Sequence, residues 1–225
     1  MKRVNVVVVS HSTHRPLAVA QLDALSGMIT DRFAHIRQSA PPAEIEKQIS
    51  AMEGALLQWL VRFTNARSVL EIGTFMGYSG AWLAAGLPSG GKLLSIEKSR
   101  EYHVQALVNL ATLEFDIANK IELRCADALD VMPELVNAGT KFDVVFIDAN
   151  KLGYPAYVRW ADRLLQPGGL LIMDDVLLYA GRNEVRITKM AAAIDEARNA
   201  IFRDACYDPM ILPMCHGLLL AKKIA

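Results

Sequence analysis

From Ser68 onward the sequence repeatedly exchanges a short apolar run for a helical stretch, and this alternation restricts the chain to a mostly parallel sheet. The runs Ser68–Ile72, Lys92–Glu97, Ile121–Cys125, Phe142–Asp148 and Gly169–Asp174 read as strands. Helices are expected between them near Tyr78–Leu87, Arg100–Phe115, Leu129–Ala138 and Tyr154–Leu165, with two further helical turns near Glu184–Ala200. In the second of these helices Val104, Leu107, Val108, Ala111 and Phe115 fall on one face. The tail offers two more strand-like runs, Phe202–Leu212 and Leu218–Ile224, around Pro213-Met214-Cys215-His216-Gly217. Two strands joined by so short a loop must be antiparallel. The expected fold is α/β, a doubly wound and mostly parallel sheet with an antiparallel C-terminal pair and helices on both faces.

Upstream, Pro41-Pro42 breaks the chain, and from Glu44 the positions Ile45, Ile49, Met52, Leu56, Leu60 and Phe63 recur every three or four residues. That spacing predicts one amphipathic helix of about twenty residues. Residues 1–43 read as an extension with weaker patterning, a valine run and then mixed helical spacing from about Leu17 to Ile36. With 225 residues and 52% of them apolar, the chain suits a single domain, residues 1–225, with a sizeable core. Lys plus Arg equals Asp plus Glu at 24 each, so the basic excess of a nucleic-acid binder is missing. Cys125, Cys206 and Cys215 are too few and too scattered for a disulfide framework or a zinc site, which points to a reduced compartment. The opening run Val4-Asn5-Val6-Val7-Val8-Val9 is short and leads into His11-Ser12-Thr13-His14-Arg15 without a small-residue cleavage pattern. No stretch approaches the roughly 18 apolar residues of a membrane span. A cytoplasmic protein with neither membrane nor nucleic acid as partner is expected.

In open α/β sheets ligands sit beyond the carboxyl ends of the strands. The first strand runs into Glu71-Ile72-Gly73-Thr74-Phe75-Met76-Gly77-Tyr78-Ser79-Gly80. Its glycines let a ligand approach the backbone, but Gly73 and Gly77 are not spaced as the G-x-G-x-x-G of a pyrophosphate site. Glu71 would be badly placed beside pyrophosphate and well placed beside the cationic amino group of S-adenosylmethionine; a plain tight turn with a capping acid would use the same residues. Glu97 follows Gly73 by 24 residues, where an acid can accept hydrogen bonds from both ribose hydroxyls of an adenosine ligand. Nicotinamide and methyl-donor enzymes both use that device, and a solvated acid beside Lys98 would look the same. Ala126-Asp127-Ala128 makes a small-residue turn able to lie against an adenine.

The fourth and fifth strands end in Asp148, followed by Ala149-Asn150-Lys151, and in Asp174-Asp175. Three carboxylates at one rim need a hard divalent cation or basic residues as partners. An oxygen-only donor set suits Mg²⁺, Mn²⁺ or Ca²⁺ rather than Zn²⁺. Taken singly, Asp148 could cap the next helix and Asp174-Asp175 could open a turn.

Val69-Leu70-Glu71-Ile72-Gly73-Thr74 with Gly77-Tyr78-Ser79, then Val145-Phe146-Ile147-Asp148-Ala149-Asn150-Lys151, then Pro167-Gly168-Gly169 and Asp174-Asp175-Val176, resemble the caffeoyl-CoA and catechol O-methyltransferase family. The similarity runs from about Glu44 to the C-terminus, with separate motifs in the family's order and spacing. The resemblance implies a Rossmann-like sheet of seven strands with strand seven antiparallel, and commonly a homodimer. It implies an S-adenosyl-L-methionine site formed by the counterparts of Ile49, Glu71, Gly73, Thr74, Phe75, Ser79, Glu97, Ala128 and Asp148. It also implies a divalent cation on Asp148, Asp174 and Asp175, with Lys151 as general base. Three departures bear on it: Asp175 stands where the family usually has Asn, Leu178 where a tryptophan often flanks the acceptor, and His216 where plant enzymes carry an acid.

The implied reaction is methyl transfer to an acceptor hydroxyl, whose proton Lys151 would take if it were itself neutral, as burial and a nearby metal would favour. Two adjacent oxygens would chelate the metal, so a small vicinal diol is the first expectation, while a carboxylate acceptor, on a protein side chain for example, would need no base. A nicotinamide oxidoreductase and a non-catalytic adenosine- or metal-binding module are the rivals from other classes.

Overall fold

Along each central strand, alternate residues enter two different cores. Val69, Val144, Phe146, Leu170, Ile172, Leu218 and Leu220 join one apolar cluster, and Leu70, Ile72, Val145, Ile147, Leu171, Met173, Leu219 and Ala221 join the other. This period of two on strands apolar on both faces is what a sheet buried between two layers of helices requires. The computed structural model describes residues 29–178 and 185–224, with backbone alone at 185–187. The valine run, the pattern from Leu17 as far as residue 28, and the start of the helix read at Glu184 lie outside the described residues.

The strands are β1 (Ser68–Ile72), β2 (Lys92–Glu97), β3 (Ile121–Cys125), β4 (Phe142–Ile147), β5 (Leu165–Met173), β6 (Tyr207–Leu212) and β7 (Leu218–Lys223). They form one seven-stranded sheet in the order β3-β2-β1-β4-β5-β7-β6. β1 to β5 pair in parallel, while β7 is antiparallel to both β5 and β6. The expected mostly parallel sheet with an antiparallel C-terminal pair is therefore present. Eight α-helices accompany it among the described residues: α1 (Ala34–Gln38), α2 (Ala51–Phe63), α3 (Tyr78–Gly86), α4 (Arg100–Leu110), α5 (Phe115–Ala118), α6 (Ala128–Asn137), α7 (Tyr154–Leu164) and α8 (Val185–Arg203). α2 and α3 pack on the first core, and α6, α7 and α8 on the second. The chain order reverses between β1 and β4, and there a crevice opens at the carboxyl ends of the strands.

Five sequence expectations change, one of them being the strand read over Phe202–Leu212, which begins only at Tyr207 because Phe202 and Arg203 end α8. The single helix from Glu44 is divided into a 3-10 turn, Pro42–Lys47, and α2, because Gln48 is extended and Ser50 caps α2 in a capping box with Glu53. The helix expected over Arg100–Phe115 stops at Leu110, with α5 a separate turn. The apolar face read there is turned outward: Val104, Leu107, Val108 and Phe115 are exposed, and Ala106, Asn109 and Leu110 face inward. Asn109 tolerates burial because its Nδ2 donates to Met76 O and Ser39 Oγ, both at 2.9 Å. β5 begins earlier than expected, at Leu165, with an irregularity that re-registers it between Phe142 and Val144. α8 is a continuous helix of 19 residues rather than two short turns. No helix among the described residues is long and apolar enough to cross a membrane.

α2 lies very close to α3 because Gly54 offers no side chain: a Cβ there would sit 2.3 Å from Trp82 Nε1 and 2.4 Å from Cδ1. Trp82 is itself wedged edge-on against Phe33 and Tyr78 and has nowhere to retreat. Gly54→Ala gains about 1 kcal/mol in helix propensity but should destabilise the protein by a net of about 1–3 kcal/mol through overpacking. Urea denaturation checks this as a lower midpoint at unchanged slope.

Candidate active site

The site is built from strand ends held in register by backbone hydrogen bonds. Gly73 N donates to Ile96 O, Asp148 N to Ile72 O and Asp174 N to Ile147 O, each at 3.0 Å. At Gly73 the φ of 98° and a space in which a Cβ would fall 2.0 Å from Asp148 O demand glycine. β1 and β4 thereby approach backbone to backbone and bring the two halves of the site together.

The crevice is a cleft of about 540 Å³ whose lining includes Ile49, Gly73, Thr74, Phe75, Ser79, Glu97, Ala128, Asp148, Lys151, Asp174, Asp175, Leu178 and His216. Of the residues expected at the cofactor, Glu71 alone is set back from this wall. It is fully buried beneath the turn, its two oxygens accepting from Ser79 Oγ at 2.6 Å and Ser95 Oγ at 2.5 Å. Glu97 is held differently: its oxygens accept from Phe75 N at 2.8 Å and Ser99 N at 2.7 Å, which fixes the carboxylate beside the cleft before any ligand arrives. Phe75, at a left-handed φ of 48°, packs its ring 4.5 Å from that of Tyr102.

At the other end, one carboxylate oxygen from each of Asp148, Asp174 and Asp175 lies within 4.8 Å of the others. Lys151 Nζ reaches Asp148 Oδ1 at 2.8 Å and Asp175 Oδ2 at 2.7 Å, and donates to Tyr154 OH at 2.8 Å. Tyr154 OH in turn donates to Asp174 O at 3.0 Å. His216 Nδ1 stands 3.2 Å from Asp175 Oδ1. The O-methyltransferase family model matches residues 32–224, most of the chain and both ends of this cleft.

The chain belongs to the O-methyltransferase family. It is 36% identical to a catechol O-methyltransferase of Niastella koreensis over 57% of this chain and 58% of that one. The matched region thus spans about three fifths of the length of that relative. Against caffeoyl-CoA O-methyltransferase 1 of Eucalyptus globulus the identity is 28% over 92% of each chain. Among solved structures, the O-methyltransferase TomG of Streptomyces achromogenes, in complex with S-adenosylmethionine, superposes with a TM-score of 0.79 at 30% identity, covering 91% of this chain and 96% of that one. The resemblance read from the strand-end motifs is the correct one.

The electrostatics of this family member fit a divalent cation. Burial, then the charges of Asp148, Asp175 and Glu53, push the Asp174 carboxyl well above the usual carboxylate range, so its anion lacks counter-charge. A hard cation among three carboxylates would supply it. Lys151 departs from expectation. Burial opposes its charge, but Asp148, Tyr154 and Asp175 outweigh that and hold the ammonium protonated well above the ordinary lysine range.

Sequence reasoning missed Tyr154, Tyr102 and Glu53. Tyr154 could have been found from its spacing three residues after Lys151, and Glu53 from the Ser50-Ala51-Met52-Glu53 capping box. Tyr102 carried no signal, because only the folded chain brings it against Phe75.

Burial pushes the Glu71 carboxyl from an ordinary 4.5 to about 7, against the two serine hydrogen bonds that favour its anion. The folded state therefore binds this proton more tightly than the unfolded chain, and the stability it contributes, full below about pH 4.5, is lost as pH rises through about 7. In Glu71→Gln the serine network can still be satisfied, since the Thr74 and Ser95 hydroxyls, 2.5 Å apart, can exchange donor and acceptor roles. Stability of the variant relative to wild type should climb by up to about 3 kcal/mol across that window, read as melting temperature against pH. A difference that stays flat with pH would show that Glu71 does not titrate there.

Proposed function

We propose that this chain transfers the methyl group of S-adenosyl-L-methionine to a hydroxyl of a small vicinal-diol acceptor, with a divalent cation, Mg²⁺ or Mn²⁺, on Asp148, Asp174 and Asp175. The observation that carries the reading is the convergence of these three carboxylates, with Lys151 among them, on the cleft that also presents Glu97. The catechol O-methyltransferase relative and the S-adenosylmethionine complex of TomG support it. A nicotinamide oxidoreductase would leave the three carboxylates without a role.

Glu97 would bind and orient the cofactor through its ribose, with Thr74, Phe75 and Ala128 along the same wall. A cation on the three aspartates would lower the pKa of the acceptor hydroxyl and fix its orientation. Lys151 holds its proton against burial because Asp148, Tyr154 and Asp175 surround it, the carboxylates of Asp148 and Asp175 in direct contact. Any engagement of those carboxylates elsewhere weakens the two contacts and lets Nζ accept the acceptor's proton. Tyr154 OH keeps Nζ aimed at the rim throughout. The remaining contribution is positioning, which the rigid strand ends provide.

Radiolabelled methyl transfer to a mixed catechol panel, with and without chelator, tests the reading. Transfer should be abolished by chelation and restored by Mg²⁺ or Mn²⁺; transfer indifferent to chelator would remove the metal. Lys151→Met retains length and stem packing but accepts no proton, so kcat should fall roughly 10²–10⁴-fold while cofactor affinity by calorimetry changes little. Normal turnover of the variant on phenolic acceptors would exclude Lys151 as the base.

A further inference from the structure

A fourth carboxylate stands at the aspartate end of the cleft. Glu53, one turn into α2, lines the cleft with Ser50, Asp174, Asp175, Leu178, Cys215 and His216. It is 2% exposed. Its Oε2 completes the capping box, accepting from Ser50 N at 2.8 Å and Ser50 Oγ at 2.9 Å. Its Oε1 is buried and has no hydrogen-bond partner among the described residues. The Cys215 thiol lies beside the pair, its Sγ 3.5 Å from Ser50 Oγ and interacting with the Glu53 carboxylate, but a thiol is too weak a donor to satisfy a buried carboxylate oxygen.

Capping requires one oxygen and leaves the other unused. A buried carboxylate oxygen without a donor is unfavourable unless something else brings the donor. The charge of Glu53 bears on Asp174 and Cys215, whereas Glu71, under the turn, is influenced by Asp148 and Glu97. Glu53 therefore belongs to the end where the acceptor would sit, away from the ribose acid. The acids gathered there are Asp148, Asp174, Asp175 and Glu53; the described ion pairs set Lys151 against the first and third, His216 against the third, and nothing against Glu53. Even with a divalent cation present, a carboxylate on the acceptor would add a further anion beside an oxygen that lacks a donor.

We propose that Glu53 determines acceptor specificity, its free oxygen taking a hydrogen bond from an ammonium or hydroxyl donor that the acceptor carries beyond its reacting oxygens. Acceptors with a carboxylate in that place are rejected by charge. This rests on the methyl-transfer reading and narrows the vicinal-diol acceptor to those whose substituent is a hydrogen-bond donor.

Glu53→Gln tests it on the full chain. Gln keeps a carbonyl oxygen for Ser50 and turns the free position from acceptor into donor. Three catechols that differ in one substituent serve as probes: 3,4-dihydroxybenzylamine, 4-methylcatechol and 3,4-dihydroxybenzoate. Their binding is measured by calorimetry with Mg²⁺ and S-adenosylhomocysteine present, and their kcat/KM with S-adenosylmethionine. Wild type should favour the amine over the carboxylate by about tenfold or more, and Glu53→Gln should shrink that ratio by about tenfold, while S-adenosylhomocysteine affinity holds. A merely structural role would lower all three acceptors together and leave the ratio intact, which overturns the proposal. Loss of S-adenosylhomocysteine affinity at an unchanged ratio also overturns it and assigns the free oxygen to the cofactor. A wild type that binds all three equally overturns it however the variant folds. A wild type that binds none of them overturns the catechol reading itself, and this proposal with it.

Discussion

The backbones of β1 and β4 meet at Gly73 and Asp148 so closely that no side chain fits between them. This approach occurs where the strand order reverses, and it couples the turn after β1, which presents the cofactor-side residues, to the strand end that presents Asp148 and Lys151. Two features follow from it. The crevice has a fixed floor, since Asp148 N and Asp174 N are each bonded to the last carbonyl of the neighbouring strand. The carboxylates are also forced together whether or not that suits them electrostatically.

That enforced proximity accounts for the way charge is distributed in the cleft. Glu97 has its carboxylate oxygens taken up by two backbone amides. Glu71 is buried, which raises its carboxyl to about 7. Asp174 resists ionisation, and Lys151 is pinned as an ammonium between Asp148 and Asp175. The carboxyl end of the sheet thus holds acids in several different environments, set by burial and partners rather than by residue type. The lysine acts as an internal counter-ion to two of the three clustered carboxylates.

Strand positions were clearest where an apolar run ends in an acid or glycine that cannot continue it, as at Ile72-Gly73, Ile147-Asp148 and Met173-Asp174. The rim carboxylates were legible for the same reason. Orientation was harder. Glu71 lies on a strand buried on both faces, so alternation does not say which core its side chain enters, and it proved to lie behind Ser79 and Ser95 rather than in the cleft wall. In α4, the apolar period identified a helix but not its inner face, because Asn109 takes a core position by hydrogen bonding while Val104, Leu107 and Val108 face out. The break at Gln48 was written in the sequence as a capping box, yet the apolar spacing ran straight across it.

Asp175 has a φ of 58°, in the left-handed region, while its carboxylate faces Lys151 and His216. Few side chains accept that backbone without strain: glycine, asparagine and aspartate are the ordinary choices. Of these, only the last two carry an oxygen at the right reach. The vocabulary open to this position in any descendant of the chain is therefore two words long, one neutral and one anionic. Variation here can adjust the charge of the rim in a single step, while its shape is kept by the main chain.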